Sequence, residues 1–128
     1  ERAVVITDSL DDAIALHRRS PGVMVSAGIS DLDDLARLDN AGVDRSRLTA
    51  WLGLGTGEPA LDEQLAALGI ETSYGDFRGE REGTADYRLM ARNGAEVISV
   101  DDVPAAAAVL DARASSRAVL QACPAALD

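Results

Sequence analysis

Short runs rich in Val and Ile alternate along this chain with longer segments of helical periodicity, and nothing else narrows its fold as much. The runs are Val4–Thr7, Val23–Ala27, Leu48–Leu54, Ile70–Tyr74 and Glu96–Val100. They are mostly apolar rather than alternately apolar and polar, the pattern of strands covered on both faces. Between them lie Ser9–Arg19, Ser30–Asn40, Glu58–Leu68, Thr84–Arg92 and Asp102–Ala114, and a last helix is expected over Ser116–Ala122, ending at Pro124. Ser9, Ser30 and Thr84 stand where a cap is wanted, and Pro59 and Pro104 where a first turn tolerates proline. Arg18 and Arg19 sit at the negative end of the first helix dipole. Gly22, Gly42, Gly69 and Gly94 each precede a strand, as left-handed helix ends do, and mark a weak repeat of βα units. Strands separated by helices pair in parallel through right-handed crossovers, so the spacing predicts an α/β protein with a five-stranded parallel sheet.

In such a sheet the chemistry belongs at the carboxyl ends of the strands. Here those positions are Asp8, Ser26–Gly28, Gly53–Gly57, Tyr74–Gly83 and Asp101. Two of these connections are long and rich in glycine, whereas the opposite ones are short caps. That asymmetry points to one working face.

Composition excludes several kinds of chemistry on that face. The 128 residues hold 12 Arg, no Lys, and 22 Asp plus Glu, a net charge of −10. An acidic surface does not suit nucleic acid or an anionic membrane. Without Lys there is no Schiff base and no P-loop. One His and one Cys exclude a His/Cys zinc site, an internal disulfide and a pair of catalytic imidazoles. No apolar run approaches the ~18–20 residues of a membrane helix. The chain opens on Glu1 without a basic-then-apolar leader. Either an excised part of a longer protein or a processed start is expected.

The remaining candidates each have two readings. Gly53, Gly55 and Gly57 can cradle a phosphate with backbone amides or simply turn the chain into a helix. Asp8 and Asp101 can hold a hard cation or cap the next helix. Arg78 and Arg81 can clamp a phosphate or pair with Glu80 and Glu82 on a solvated loop. Trp51 can stack beneath a ligand or fill the core. His17 falls on a helix away from the working face, and Cys123 near the end of the chain should be inert.

A succession of motifs carries more information than any one of them. Asp8-Ser9-Leu10-Asp11-Asp12-Ala13, Pro21-Gly22-Val23-Met24-Val25-Ser26, Ala50-Trp51-Leu52-Gly53, Leu68-Gly69-Ile70, Tyr74-Gly75-Asp76 and Gly94-Ala95-Glu96-Val97-Ile98-Ser99-Val100-Asp101 follow in one order. This order resembles the second half of the glycerophosphodiester phosphodiesterase family. The last stretch is similar to that family's closing Gly-x-Asp-x-Ile-x-Thr-Asp-x-Pro, with Val100 in place of Thr and Pro104 one place late.

The resemblance implies the last five strands of a (β/α)₈ barrel, in sequential order 1-2-3-4-5, with helices outside. It also implies a small phosphodiester as ligand of the complete barrel. Hydrolysis there uses Ca²⁺ or Mg²⁺ and two histidines as acid and base. Ser26, Trp51, Gly53, Gly75, Asp76 and Asp101 become the substrate-side candidates, and Asp8 the candidate metal ligand. The family's His-Arg-Gly segment and second His have no counterpart here. If Asp8-Ser9-Leu10 fixes the register, Val5 and Thr7 replace its Glu-x-Lys pair, and a small shift brings Asp8 into play. No hydrolysis is therefore expected from this chain alone, and no catalytic residue is assigned. A non-catalytic module that binds ligand or partner through Gly75–Gly83, or associates with itself, is the alternative. A flavodoxin- or receiver-like domain fits the length but lacks an acidic cluster after the first strand and a Lys after the last.

Overall fold

β1 (Val4–Ile6), β2 (Met24–Gly28), β3 (Leu48–Leu54), β4 (Glu71–Gly75) and β5 (Val97–Ser99) lie side by side in chain order, all parallel, in one sheet. This is a computed structural model, and it describes residues 3–55 and 57–110. The order is the one a barrel requires, with no switch point at which strands reverse direction of winding. The sheet curls: Val4 of β1 and Val97 of β5, at opposite edges, line the same hollow.

The helices are α1 (Leu10–Arg19), α2 (Leu32–Asn40), α3 (Pro59–Ala67), α4 (Phe77–Glu82), α5 (Tyr87–Arg92) and α6 (Val103–Val109), with a 3₁₀ turn at Arg45–Arg47. They cover the convex face. Val25, Ala27 and Ala50, at alternate positions of β2 and β3, are fully buried there with Ala13, Leu35, Leu38 and Leu65. Burying a leucine such as Leu38 contributes about 2 kcal/mol relative to leaving it in water. A second apolar cluster joins Tyr74 of β4 to Tyr87, Met90 and Ala106.

Several local details differ from the sequence reading, each for a visible reason. Asp31 rather than Ser30 caps α2, because its carboxylate accepts from the amides of Asp33 and Asp34 at once. Asp86 rather than Thr84 caps α5, while the Thr84 amide closes the end of α4 on Gly79 O. Gly42, Gly69 and Gly94 do take positive φ, but Gly22 does not. There α1 ends instead in a Ser20–Val23 turn through Pro21. The Gly75–Gly83 stretch is not an open loop. It contains α4, capped by Asp76, and Gly79 is required because a Cβ there would collide with the Asp76 carboxylate. The helix expected at Ser116–Ala122, the end of the one expected at Asp102–Ala114, and Cys123 lie outside the described residues.

Candidate functional site

The concave face of the sheet bounds a hollow of about 550 Å³ that reaches from Val4, Glu71 and Val97 at the amino ends of the strands to Asp8 and Phe77 at the carboxyl ends. Strand alternation decides what lines it. Val4 and Ile6 of β1, Ser26 and Gly28 of β2, Thr49 and Trp51 of β3, Glu71 and Ser73 of β4, and Val97 and Ser99 of β5 all face inward. The pairings Ile6↔Ser26, Ser26↔Thr49 and Thr49↔Glu71 set one layer across the sheet. Gly28↔Trp51 and Trp51↔Ser73 set the layer above it. Barrel interiors are ordinarily filled by bulky branched residues. Here Ser, Thr and Gly occupy the central strands, and space remains.

The hydroxyls are what that space exposes. Ser26 and Thr49 are only 7% and 4% exposed, line the hollow, and make no side-chain hydrogen bond to any described residue. Ser73 Oγ donates to Ala50 O at 3.3 Å and so is engaged. Thr7 Oγ1, at the rim, donates to Ser26 O at 3.0 Å.

Two of the chain's few aromatic rings meet at the mouth. A Cβ added to Gly75 would stand 3.0 Å from Trp51 Cη2 and 3.1 Å from Phe77 Cζ, so the glycine lets the two rings approach the sheet. Trp51 is half-buried. It also borders an adjoining depression of about 490 Å³ with Gly28, Gly53 and Glu58. Among the described residues that line the two depressions there are carboxylates (Asp8, Glu71 and Glu58) and no Arg or His.

The structure thus brings Ser26, Trp51 and Asp8 together, with Gly75 beside the Trp51 ring, and leaves Gly53, Asp76 and Asp101 out of the lining of the hollow. Gly53 borders only the adjoining depression. Gly75 acts by having no side chain, and Asp76 spends its carboxylate on the Gly79 amide. Asp101 is exposed and lines neither depression, and its amide donates to Glu80 Oε2 at 2.8 Å. Neither Asp8 nor Asp101 is a helix cap: Ser9 and Asp102 take those places. Asp8 is exposed at the rim, and no group of three His, Cys, Asp or Glu that can hold a metal forms among the described residues. These residues by themselves do not fit a Ca²⁺ or Mg²⁺ ion, which requires several oxygens at once.

Val5 does not occupy an inward position. Val4 and Ile6 do, so a register that places Val5 where a metal ligand belongs points it at the helix layer. His17 lies away from the site, as its place on a helix suggested, and is buried, at 8% exposure. It lies near the end of α1 at the amino ends of the strands, where Nε2 accepts from the Asp44 amide at 3.3 Å.

The glycine-rich segment after β3 is a pinned turn rather than a free row of amides. Gly53, Gly55 and Gly57 all have positive φ. The Gly55 amide is taken by Gly75 O, and the Glu58 amide by Tyr74 Oη at 3.2 Å. Burial pushes the Tyr74 phenol up to about 12, so at neutral pH it remains a neutral partner in that turn. Arg78 pairs with Glu82 at 2.9 Å on the exposed side of α4. Thr49, Glu71, Ser73 and Phe77 also line the hollow although the sequence reading did not single them out. The available signals were strand alternation for the first three and, for Phe77, its place directly after the capping Asp76.

No protein-family model and no curated protein sequence matches the chain. Solved structures do. A glycerophosphoryl diester phosphodiesterase from Parabacteroides distasonis superposes with a TM-score of 0.70 at 18% identity, over 86% of this chain and 41% of that one. The fold is a half-barrel of the (β/α)₈ type. A Xanthomonas albilineans dihydropteroate synthase, solved with 4-aminobenzoic acid, gives a TM-score of 0.55 at 22% identity, over 96% of this chain and 69% of that one. The chain therefore spans less than half the length of the first structure and about two thirds of the second. Two enzymes of different chemistry share the architecture, so the likeness establishes the fold, and function has to be argued from the hollow.

Proposed function

We propose that the chain is the ligand-holding side of a glycerophosphodiester phosphodiesterase-like barrel, and that it carries none of the hydrolytic apparatus. The observation that supports this most is the hollow itself. It reaches the carboxyl ends of sequentially ordered strands and is lined by hydroxyls without described partners, next to an aromatic pair. Ser26 and Thr49 supply hydrogen-bonding oxygens suited to a polyol, and Trp51 with Phe77 supplies a face for its carbon skeleton. No cation lines the wall among the described residues, so the phosphate of a diester would have to be held from another side. Acid–base chemistry needs a titratable group within hydrogen-bond reach of the reacting atoms. His17, the one His, stands at the other end of the strands, hydrogen-bonded to the Asp44 amide.

The test combines turnover with binding. Glycerophosphodiesters incubated with the protein and Ca²⁺ or Mg²⁺ should show no hydrolysis above buffer, while saturably changing the fluorescence of Trp51. Turnover that vanishes in His17→Ala would overturn the first half. A tryptophan signal indifferent to diester and glycerol alike would overturn the second.

A further inference from the structure

We propose that β1 is a docking edge for a second copy of this chain, and that the two copies join antiparallel about a two-fold axis through Val5. Of the described strands, β1 is the one the fold leaves barest. Val4, Val5 and Ile6 are 48%, 40% and 79% exposed, so it lacks cover on both faces as well as along its outer edge. In β5, at the other edge, only Val97 is exposed, while Ile98 and Ser99 are half-buried. The backbone then fixes how two copies can meet. The Thr7 amide donates to Ser26 O, and amide direction alternates along a strand, so Val5 and Thr7 turn their N–H and C=O groups toward β2. Val4 and Ile6 turn theirs away from the sheet. Two such edges fit each other antiparallel. Val4 exchanges both hydrogen bonds with Ile6 of the second copy, Ile6 does the same with Val4, and the two Val5 residues stand opposite as a pair without hydrogen bonds. Val4 and Ile6 of the two copies cover one another on the concave side, and Val5 meets Val5 on the helix side.

Charge selects this joint over a parallel one, in which β5 of one copy would meet β1 of the other. α1 carries Asp11 and Asp12 in its first turn and Arg18 and Arg19 in its last, all of them exposed. α2 carries Asp33 and Asp34 in its first turn. The carboxyl rim is therefore acidic, and a parallel joint sets two acidic rims side by side. An antiparallel joint brings the Asp11–Asp12 end of one α1 level with the Arg18–Arg19 end of the other, unlike charge beside unlike. The contact is also isologous, so it closes with two copies and leaves no β1 edge for a third.

Cysteine cross-linking tests the joint, in a Cys123→Ser background because Cys123 is the chain's one cysteine. Opposed residues of a pair without hydrogen bonds stand about 4.5 Å apart at Cα, within the span of a disulfide. Without reductant, Val5→Cys should therefore run mostly as a covalent dimer, and Ala66→Cys, exposed on α3, as a monomer. Val4→Cys and Ile6→Cys should each stay monomeric alone and cross-link when mixed, because each position faces the other across the axis. That mixed pair decides the matter should Val5→Cys not fold. If Val5→Cys cross-links only when mixed with a cysteine on β5, such as Ile98→Cys, the joint is parallel and the proposal is wrong. If neither Val5→Cys nor the mixed pair cross-links while circular dichroism shows a folded chain, β1 does not dock a second copy.

Discussion

Thr72 places one hydroxyl between two carboxylates on the convex side of β4. Its Oγ1 contacts Asp62 Oδ1 through a short hydrogen bond and Glu96 Oε2 at 2.9 Å, while its amide donates to the same Glu96 oxygen at 2.7 Å. Tyr74 Oη adds a longer contact to Asp62 Oδ1 at 3.4 Å. Asp62 is only 5% exposed and has no cationic partner among the described residues, so these hydroxyls take the place of the water it gave up. Thr72→Val keeps the shape and removes the bridge. It should cost about 1–3 kcal/mol in urea unfolding, and Thr72→Ser should recover most of that. Gly94 closes the same pocket. Its φ is +111°, and a Cβ there would run into the Asp62 carboxylate. Gly94→Ala should therefore cost more than the ~1 kcal/mol of an ordinary left-handed glycine site, with loss of a cooperative transition as the extreme outcome. A variant as stable as the parent would show that α3 can move away from β4.

At the scale of elements, α4 decides how the carboxyl rim is held. Glu80 Oε1 accepts from Tyr87 Oη at 2.7 Å and Oε2 from the Asp101 amide at 2.8 Å, so one side chain ties α4 to α5 and to the turn after β5. The Asp101 amide, with the Tyr87 hydroxyl second, holds the Glu80 carboxyl below its usual range. Its contribution is thus fully present above the ordinary carboxylate pKa and is lost as pH falls through the lowered folded value. Tyr87 runs the other way: Glu80 raises its phenol to about 12, so that contribution holds below pH 10 and fades between about 10 and 12. Thermal melts from pH 6 down to 3 should show Glu80→Gln losing less stability than the parent over that range. Parallel curves would mean the tie carries no linkage. This element was also the hardest to see in the sequence. The five strands show themselves within a residue or two, because Val and Ile runs between caps leave little choice of strand. By contrast Phe77–Glu82 is six residues long, contains Gly79 and has no apolar stripe, so its helix exists by virtue of the Asp76 cap and tertiary contact. The site was half legible for the same reason. Ser26 and Trp51 follow from alternation within strands. Asp101 does not, because where the chain turns after a strand depends on a partner 21 residues away.

For the whole molecule, the decisive question is what covers the concave face. Among the described residues β1 and β5 each have a strand neighbour on one side only. Val4, Ile6 and Val97, which point into the hollow, remain 48%, 79% and 43% exposed. Unpaired edges of this kind recruit other strands, and neither edge carries Lys or Pro to discourage them. The net charge of −10 opposes contact between copies, but salt limits its reach to about 10 Å at 0.1 M and about 3 Å at 1 M. Burial of apolar area does not weaken in the same way. Association should therefore strengthen with sodium chloride, giving dimers or larger species by sedimentation at tens of micromolar protein. Ile6→Lys, which places a charge on the most exposed apolar position of the edge, should shift the distribution toward monomer without altering the circular dichroism. If the parent sediments as a compact monomer at 1 M salt, the edge and its valines are already covered within the same chain. The hollow would then have to be narrower than its present walls make it.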